Sequence, residues 1–267
     1  MADKQVVLIT GATSGIGLLI ANKLHNNGFK VFGTGRHPAK HQDKVLFELL
    51  PLDVTSDESI AKCIEILSTK TPVLDVLINN AGFALGGVVE DTSIEQARKL
   101  FETNFWGTVK VTKAILPLMR EQRSGRIITT GSLSGLIGLP AMSYYSSSKH
   151  ALEGFFKSLR FEVKGFNIKV SVIEPAFYKT NIDAAAELAP ETIKDYDKIR
   201  KQVSQFVADT LANAPTAEPV AELVLKIIKS KEPKFSYPIG KNSKFLPMLQ
   251  FLSPAMFESG FLQKLKL

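Results

Sequence analysis

Tyr145 and Lys149 stand four residues apart in Tyr145-Ser146-Ser147-Ser148-Lys149, a spacing that sets a phenol and an ammonium on one face of a helix. A free tyrosine titrates near pH 10 and is a poor base at neutrality, but a neighbouring ammonium favours the phenolate and brings the group into range for proton transfer. A second constellation lies near the start of the chain. Val6-Val7-Leu8-Ile9 leads into Thr10-Gly11-Ala12-Thr13-Ser14-Gly15-Ile16-Gly17, and Leu18-Leu19-Ile20-Ala21 follows. A strand that turns through side-chain-free positions into a helix N-terminus offers backbone N–H groups and a favourable dipole to a diphosphate. The glycine spacing is G-x-x-x-G-x-G, so the strand before and the helix after carry the inference more than the glycines alone.

The next apolar run ends in Thr34-Gly35-Arg36. An NAD site carries an acid here for the adenosine ribose hydroxyls. With no carboxylate to repel a 2′-phosphate and a guanidinium to bind one, the expected cofactor is NADP(H); the plainer reading of Arg36 is a solvated surface charge.

These residues need a frame, and the chain supplies one. Short apolar runs at 6–10, 29–34, 46–52, 73–78, 126–130, 168–173 and 234–238 read as strands, and amphipathic stretches at 93–121, 143–165 and 216–229 as the longest helices. This alternation predicts a single-domain α/β fold of Rossmann type, a doubly wound sheet of seven mostly parallel strands with helices on both faces. Residues 1–240 form the expected dinucleotide-binding catalytic domain, including a helical, substrate-covering insertion at about 181–215. Residues 241–267 form an amphipathic extension of the same domain.

Composition narrows the class. At 267 residues, 45% hydrophobic and 22% charged, the chain is ordinary globular material rather than disordered or fibrous. The one cysteine, Cys63, cannot make an internal disulfide or a thiolate zinc site and reads as a reduced core thiol. The first apolar run is too short for a signal segment, and no run reaches spanning length, so the expected location is the cytoplasm. Of the net charge of +7, a balance of +5 falls after residue 228, as seven lysines against two glutamates. That confinement to one end argues against nucleic-acid binding.

At this point the sequence resembles the short-chain dehydrogenase/reductase family, and in particular its hydroxysteroid dehydrogenase, retinol dehydrogenase and carbonyl reductase members. The matching motifs run in order along nearly the whole chain: Thr10-Gly11-x-x-x-Gly15-x-Gly17, Asp53-Val54, Asn79-Asn80-Ala81-Gly82, Asn104, Ser132, Tyr145, Lys149, and Pro175 with Thr180. Ala176 stands where many members have glycine. The resemblance implies that Tyr145 exchanges a proton with a carbonyl or alcohol oxygen, Lys149 supports it and holds the nicotinamide ribose, Ser132 hydrogen-bonds the substrate oxygen, and Asn104 holds a water in the proton relay. Gly11, Thr13, Ser14, Gly15, Ile16, Gly17, Gly35 and Arg36 would bind the phosphate and adenosine side, with Asp53 and Val54 at the adenine. Asn80, Ala81 and Gly82 would line the adenosine side, and Ile173, Pro175 and Thr180 the nicotinamide end. Plainer readings exist: Asp53 as a helix cap, for which Ser56 is better suited, and Asn104 as a buried amide satisfying backbone. His150 reads as an ordinary helix residue.

Substrate-side positions implied by the resemblance are Ser132, Leu133, Leu139, Met142, Tyr145 and Phe177, with Phe83, Leu85, Leu136 and Tyr178 near them. Their apolar character favours a lipophilic carbonyl or alcohol. The basic amphipathic tail suggests a roof over the pocket, a subunit contact or a peripheral membrane contact; Pro247, Pro254 and Gly260 are expected to interrupt any long helix there, and Pro117 to bend the helix after Asn104. The resemblance also implies a homodimer or homotetramer. A rival reading, an NADP(H)-binding sensor with little turnover, would be expected to have lost Ser132, Tyr145 or Lys149, and all three are present.

Overall fold

In a computed structural model, which describes residues 4–179 and 186–266, the first apolar run becomes β1 (Val6–Ile9) and the glycine turn opens α1 (Gly15–Asn26). There follow β2 (Lys30–Gly35), β3 (Glu48–Pro51), α2 (Asp57–Lys70), β4 (Val76–Asn79), a two-residue strand β5 (Leu85–Gly86), α3 (Ile94–Phe101) and α4 (Thr108–Gln122). The second half contributes β6 (Gly125–Thr130), α5 (Ser143–Glu162), β7 (Ile168–Pro175), the short β8 (Glu187–Leu188), α6 (Asp197–Ala212), α7 (Glu218–Lys229) and β9 (Ser236–Ile239). Two last helices, α8 (Phe245–Leu252) and α9 (Pro254–Leu265), make a hairpin.

Successive side chains of a strand point to opposite faces, and both faces are covered. Val6 and Leu8 of β1 join a core with Ile60 and Leu67 of α2, Ile115 of α4 and Phe156 of α5. Val7 and Ile9 join the opposite core with Ile20 and Leu24 of α1 and Val220 and Val224 of α7. Burial on both sides explains why the strands read as unbroken apolar runs rather than as alternating ones.

The main sheet has seven strands in the order β3-β2-β1-β4-β6-β7-β9, every pairing parallel. Connections leave β1 towards β3 on one side and continue from β4 towards β9 on the other. A crevice therefore opens at the carboxyl ends of β1 and β4, where an open α/β sheet binds ligands.

Several boundaries differ from the sequence reading. β3 begins at Glu48 because Leu46 faces solvent, 81% exposed. β4 begins at Val76, after the Asp75 carboxylate accepts a hydrogen bond from the Val6 N–H at 2.7 Å. The single helix expected over 93–121 is broken between α3 and α4 by a π-helical segment, Glu102–Gly107; the irregularity falls around Asn104, ahead of Pro117, which lies inside α4. The tail breaks at Ser253, before Pro254, whereas Pro247 and Gly260 lie within α8 and α9.

Candidate active site

The glycine turn is shaped by backbone demands. Gly11 and Gly15 hold φ of 67° and 55°, the left-handed region that glycine enters without penalty. At Gly17 the constraint is space: a Cβ would lie 2.3 Å from the Gly11 carbonyl oxygen and 2.4 Å from Asn80 Nδ2. The turn is tied to the end of β4 by short bonds. Thr10 Oγ1 accepts from the Asn80 and Ala81 N–H groups at 2.9 and 3.0 Å, and Asn80 Nδ2 donates to the Thr10 and Gly11 carbonyls, each at 3.1 Å. Ser14 is the N-cap of α1, whose first turn carries no acid. A cradle with bare backbone and the positive end of a helix fits a dinucleotide diphosphate.

A cavity of about 660 Å³ runs from this cradle across the carboxyl ends of the strands. Thr13, Ser14, Gly15 and Ile16 line it at the turn, with Gly35 and Arg36 beyond β2, and Asp53 and Val54 beyond β3. Asp53 Oδ1 accepts from the Thr55 N–H at 2.9 Å and from its hydroxyl at 2.7 Å. The backbone bond from Thr55, aided by its hydroxyl and by the nearby Arg36 guanidinium, outweighs burial and holds the Asp53 carboxyl below its usual range. Ser56, not Asp53, caps α2, accepting from the Ser59 N–H at 3.1 Å.

Asn80, Ala81 and Gly82 line the middle of the cavity, and Ser132, Leu133, Leu139, Met142, Tyr145, Lys149, Pro175 and Phe177 its far end. Gly17 and Asn104 lie behind the wall. Thr180 lies outside the described residues.

Tyr145 and Lys149 begin α5 and are both nearly buried, at 7% and 6% exposure. Lys149 Nζ donates to the Thr130 carbonyl at 2.9 Å and lies 5.8 Å from the centre of the Tyr145 ring. Desolvation brings the Lys149 ammonium down to about 8, with the Glu153 charge opposing the fall. Ser132 Oγ accepts from the Ser134 N–H at 3.1 Å. Asn104, 1% exposed, uses its amide on main chain: Oδ1 accepts from the Phe83 N–H at 3.0 Å, and Nδ2 donates to the Phe83 carbonyl at 2.9 Å. His150 Nδ1 pairs with the Ser146 carbonyl one helical turn back, and the Cys63 thiol, buried in the core, is pushed up to about 11 by desolvation.

Sequence reasoning did not find five groups around this site. The Thr130 carbonyl that anchors Lys149 is main chain and leaves no side-chain signal. Glu153, one turn after Lys149, and Glu174, at the end of the apolar stretch of β7, are buried carboxyls at 6% and 0% exposure; an acid inside a central strand is the signal that marked the second. Asp91 and Arg200 form an ion pair at 2.8 Å, and the Asp91 carboxylate also accepts from the Thr192 N–H and hydroxyl and the Ile193 N–H. Through it, and through the parallel pairing of β5 with β8, residues 186–215 are fastened beside the far end of the cavity.

A family model for the short chain dehydrogenases matches residues 5–191, and the chain belongs to that family. It is 38% identical over 267 residues to the uncharacterized oxidoreductase YusZ of Bacillus subtilis, covering 94% of this chain and 95% of the relative. It is 34% identical over 250 residues to a 3-ketodihydrosphingosine reductase of Bacteroides thetaiotaomicron, covering 93% and 90%. Among solved structures, a short-chain dehydrogenase of Streptomyces avermitilis superposes with a TM-score of 0.85 at 29% identity, over 100% of this chain and 98% of that one. The closed form of a serine dehydrogenase complexed with NADP+ gives 0.76 at 27% identity, over 87% and 93%. The protein is an oxidoreductase of this family, with a fold that holds nicotinamide dinucleotides in its relatives.

Proposed function

We propose that the protein is an NADP(H)-dependent oxidoreductase that exchanges a hydride with a lipophilic carbonyl or secondary alcohol of steroid, retinoid or long-chain type. The observation that carries this reading is the convergence of Ser132, Tyr145 and Lys149 on the cavity that begins at the glycine cradle. When bound, the nicotinamide supplies or accepts the hydride. Tyr145 gives its phenolic proton to the carbonyl oxygen in reduction and recovers it from the alcohol in oxidation. Lys149, fixed on the Thr130 carbonyl, favours the phenolate by its charge. Ser132 accepts from Ser134 and keeps its own hydroxyl proton for the substrate oxygen, where negative charge develops. Asn104 is a positioning residue, holding Phe83 and the loop after β4. Thr180, by family resemblance, would serve the nicotinamide end together with Pro175.

Arg36 supports the phosphorylated cofactor. It lines the cavity and makes no ion pair with a described residue, its attraction for Asp53 being the weakest of the influences on that carboxyl. Leu133, Leu139, Met142 and Phe177 make the substrate end apolar, in keeping with the 3-ketodihydrosphingosine reductase among the relatives. Trp106 and Phe161, 49% and 79% exposed, give the α4 and α5 side apolar surface for a homodimer or homotetramer. The enzyme's place on this reading is the cytoplasm.

The test is loss or gain of nicotinamide absorbance with NADPH and NADH in parallel against bulky apolar and small polar carbonyls. Turnover with NADPH on the bulky set alone is the expected result; preference for NADH, or for small polar carbonyls, overturns the cofactor or the substrate reading respectively. Tyr145→Phe should lower turnover by roughly 10²- to 10⁴-fold with cofactor affinity retained. Arg36→Ala should weaken NADPH by about tenfold or more and leave NADH nearly unchanged, since a hydrogen bond to a charged group contributes roughly 1.5–3 kcal/mol.

A further inference from the structure

Exposed apolar side chains are concentrated at one place on the surface. Of the thirteen large ones exposed among the described residues, six fall between Phe245 and Leu262. On α8, Phe245, Met248 and Leu252 follow one another at helical spacing with Phe251 beside them; on α9, Met256 and Leu262 are exposed as well. The four on α8 are 52%, 52%, 69% and 84% exposed in that order. Scattered singly such residues need no account, but a contiguous group of this size marks a surface that meets something.

The hairpin is not loose chain. Its inner side is packed: Phe257 and Phe261 lie against each other, Phe261 meets Phe206 of α6, and Phe206 meets Phe177 at the cavity wall. Gln250 accepts a hydrogen bond from the Gly138 N–H at 3.2 Å, and Leu265 is 2% exposed. One face is therefore docked on the substrate end of the domain, and the opposite face is bare.

Charge identifies the occupant. From residue 241 onward the chain carries Lys241, Lys244, Lys264 and Lys266 against a single acid, Glu258. Lys241 and Lys244 are exposed just ahead of α8, where the apolar stripe begins, whereas Lys264 lies over the Phe206 ring on the docked side, 4.7 Å from its centre. We propose that this face docks on an anionic phospholipid bilayer, with Phe245, Met248, Phe251, Leu252 and Met256 at the acyl boundary and Lys241 and Lys244 among the headgroups. No helix among the described residues is long and apolar enough to cross a membrane, so the hairpin lies on the surface. A second copy of the chain fits less well, because a two-fold contact would set the lysine-rich face against itself.

Docking places the lipid one helix layer, about 10 Å, from the aromatic chain that leads through Phe261 and Phe206 to Phe177. Delivery of a lipophilic substrate along that side rests on the proposed function; the docking itself does not. The experiment is therefore binding without catalysis: co-sedimentation of the full chain with vesicles of phosphatidylcholine alone, and of phosphatidylcholine containing about one-third phosphatidylglycerol.

The expected result is partition into the anionic vesicles only, weakened by salt. Phe251→Ser with Leu252→Ser should lower the partition by more than about tenfold, and Lys241→Gln with Lys244→Gln by about 25-fold. Both pairs are exposed, so an unchanged melting temperature and unchanged turnover in detergent-free buffer are expected beside the lost binding. Absence of binding to either vesicle overturns the proposal. So does loss of a solution dimer in the Phe251→Ser, Leu252→Ser variant, which would make the face a contact between copies. Vesicle binding without turnover on lipophilic carbonyls would leave the docking intact and refute the substrate reading alone.

Discussion

At the glycine-cradle end of the cavity main chain lies against main chain, while at the far end a separate segment is held by side chains reaching across the sequence. Gly17 rests against the Gly11 carbonyl with no room for a methyl group, and Thr10 and Asn80 bind backbone on both sides of the crevice. Residues 186–215 depend instead on the Asp91–Arg200 ion pair, a two-strand pairing and a few phenylalanine rings. A cradle built from backbone contact has one geometry or none. On the function proposed above residues 186–215 are the pocket's cover, and a segment held by a few discrete contacts can be loosened while the domain stays folded, which suits entry and exit of the proposed lipophilic substrate.

The sharpest way to break the cradle is Gly17→Ala. A Cβ within 2.4 Å of two polar atoms forces α1 away from the turn, and overpacking of this kind costs about 3 kcal/mol. The melting temperature should fall by roughly 10 °C, and dinucleotide affinity should fall with it. An unchanged melt would mean that the helix and turn are not in close contact.

Arg200→Met addresses the cover and should have the smaller, local effect. The Asp91 carboxylate is held below its ordinary value, chiefly by the Thr192 hydroxyl and with the Arg200 charge contributing, so losing the guanidinium weakens the fastening without touching the sheet. Limited proteolysis within 186–215 should quicken on the order of tenfold, because local opening becomes easier. Cofactor affinity should hold. Equal loss at both ends would mean that cover and cradle form one cooperative unit.

The same contrast decides what could be read from sequence. The cradle was legible because its geometry dictates residue type: positive φ and close approach both demand glycine, and the strand runs beside it are apolar because both sheet faces are buried. The seven strands follow from the same apolar runs, and their parallel pairing from the alternation of strands with helices; the strand order was not legible. The cover was not legible in detail. Arg200 and Asp91 are 109 positions apart, and no local pattern relates them. The π-helical segment around Asn104 was missed as well, since no proline or glycine marks its start and the i, i+3, i+4 apolar spacing continues through it. Lys149 was found from its spacing to Tyr145, but its anchor, the Thr130 carbonyl, is common to every residue type.

Glu174 offers a finer test, because it is a carboxyl wholly buried near the end of β7. Its Oε2 accepts from the Tyr237 N–H at 2.8 Å, while Oε1 meets no donor among the described residues. Desolvation, reinforced by the Glu153 charge, pushes the Glu174 carboxyl up to about 8; Glu153 itself, faced by Lys157 and Lys149, is pushed up to about 7 by burial. An acid whose folded value is raised binds its proton more tightly folded than unfolded. Its contribution to stability is full below the unfolded value near 4.5 and is lost as pH rises through the folded value. Lys149 runs the other way, but its window lies between about 8 and 10.5, so from pH 5 to 8 the carboxyls set the slope. Glu174→Gln keeps an acceptor for Tyr237 and cannot ionise. The melting temperature of the parent should therefore drop by several degrees more than that of the variant between pH 5 and 8. Parallel slopes would mean that Glu174 is ionised throughout that range, and that a cation or water reaches it from the cavity side.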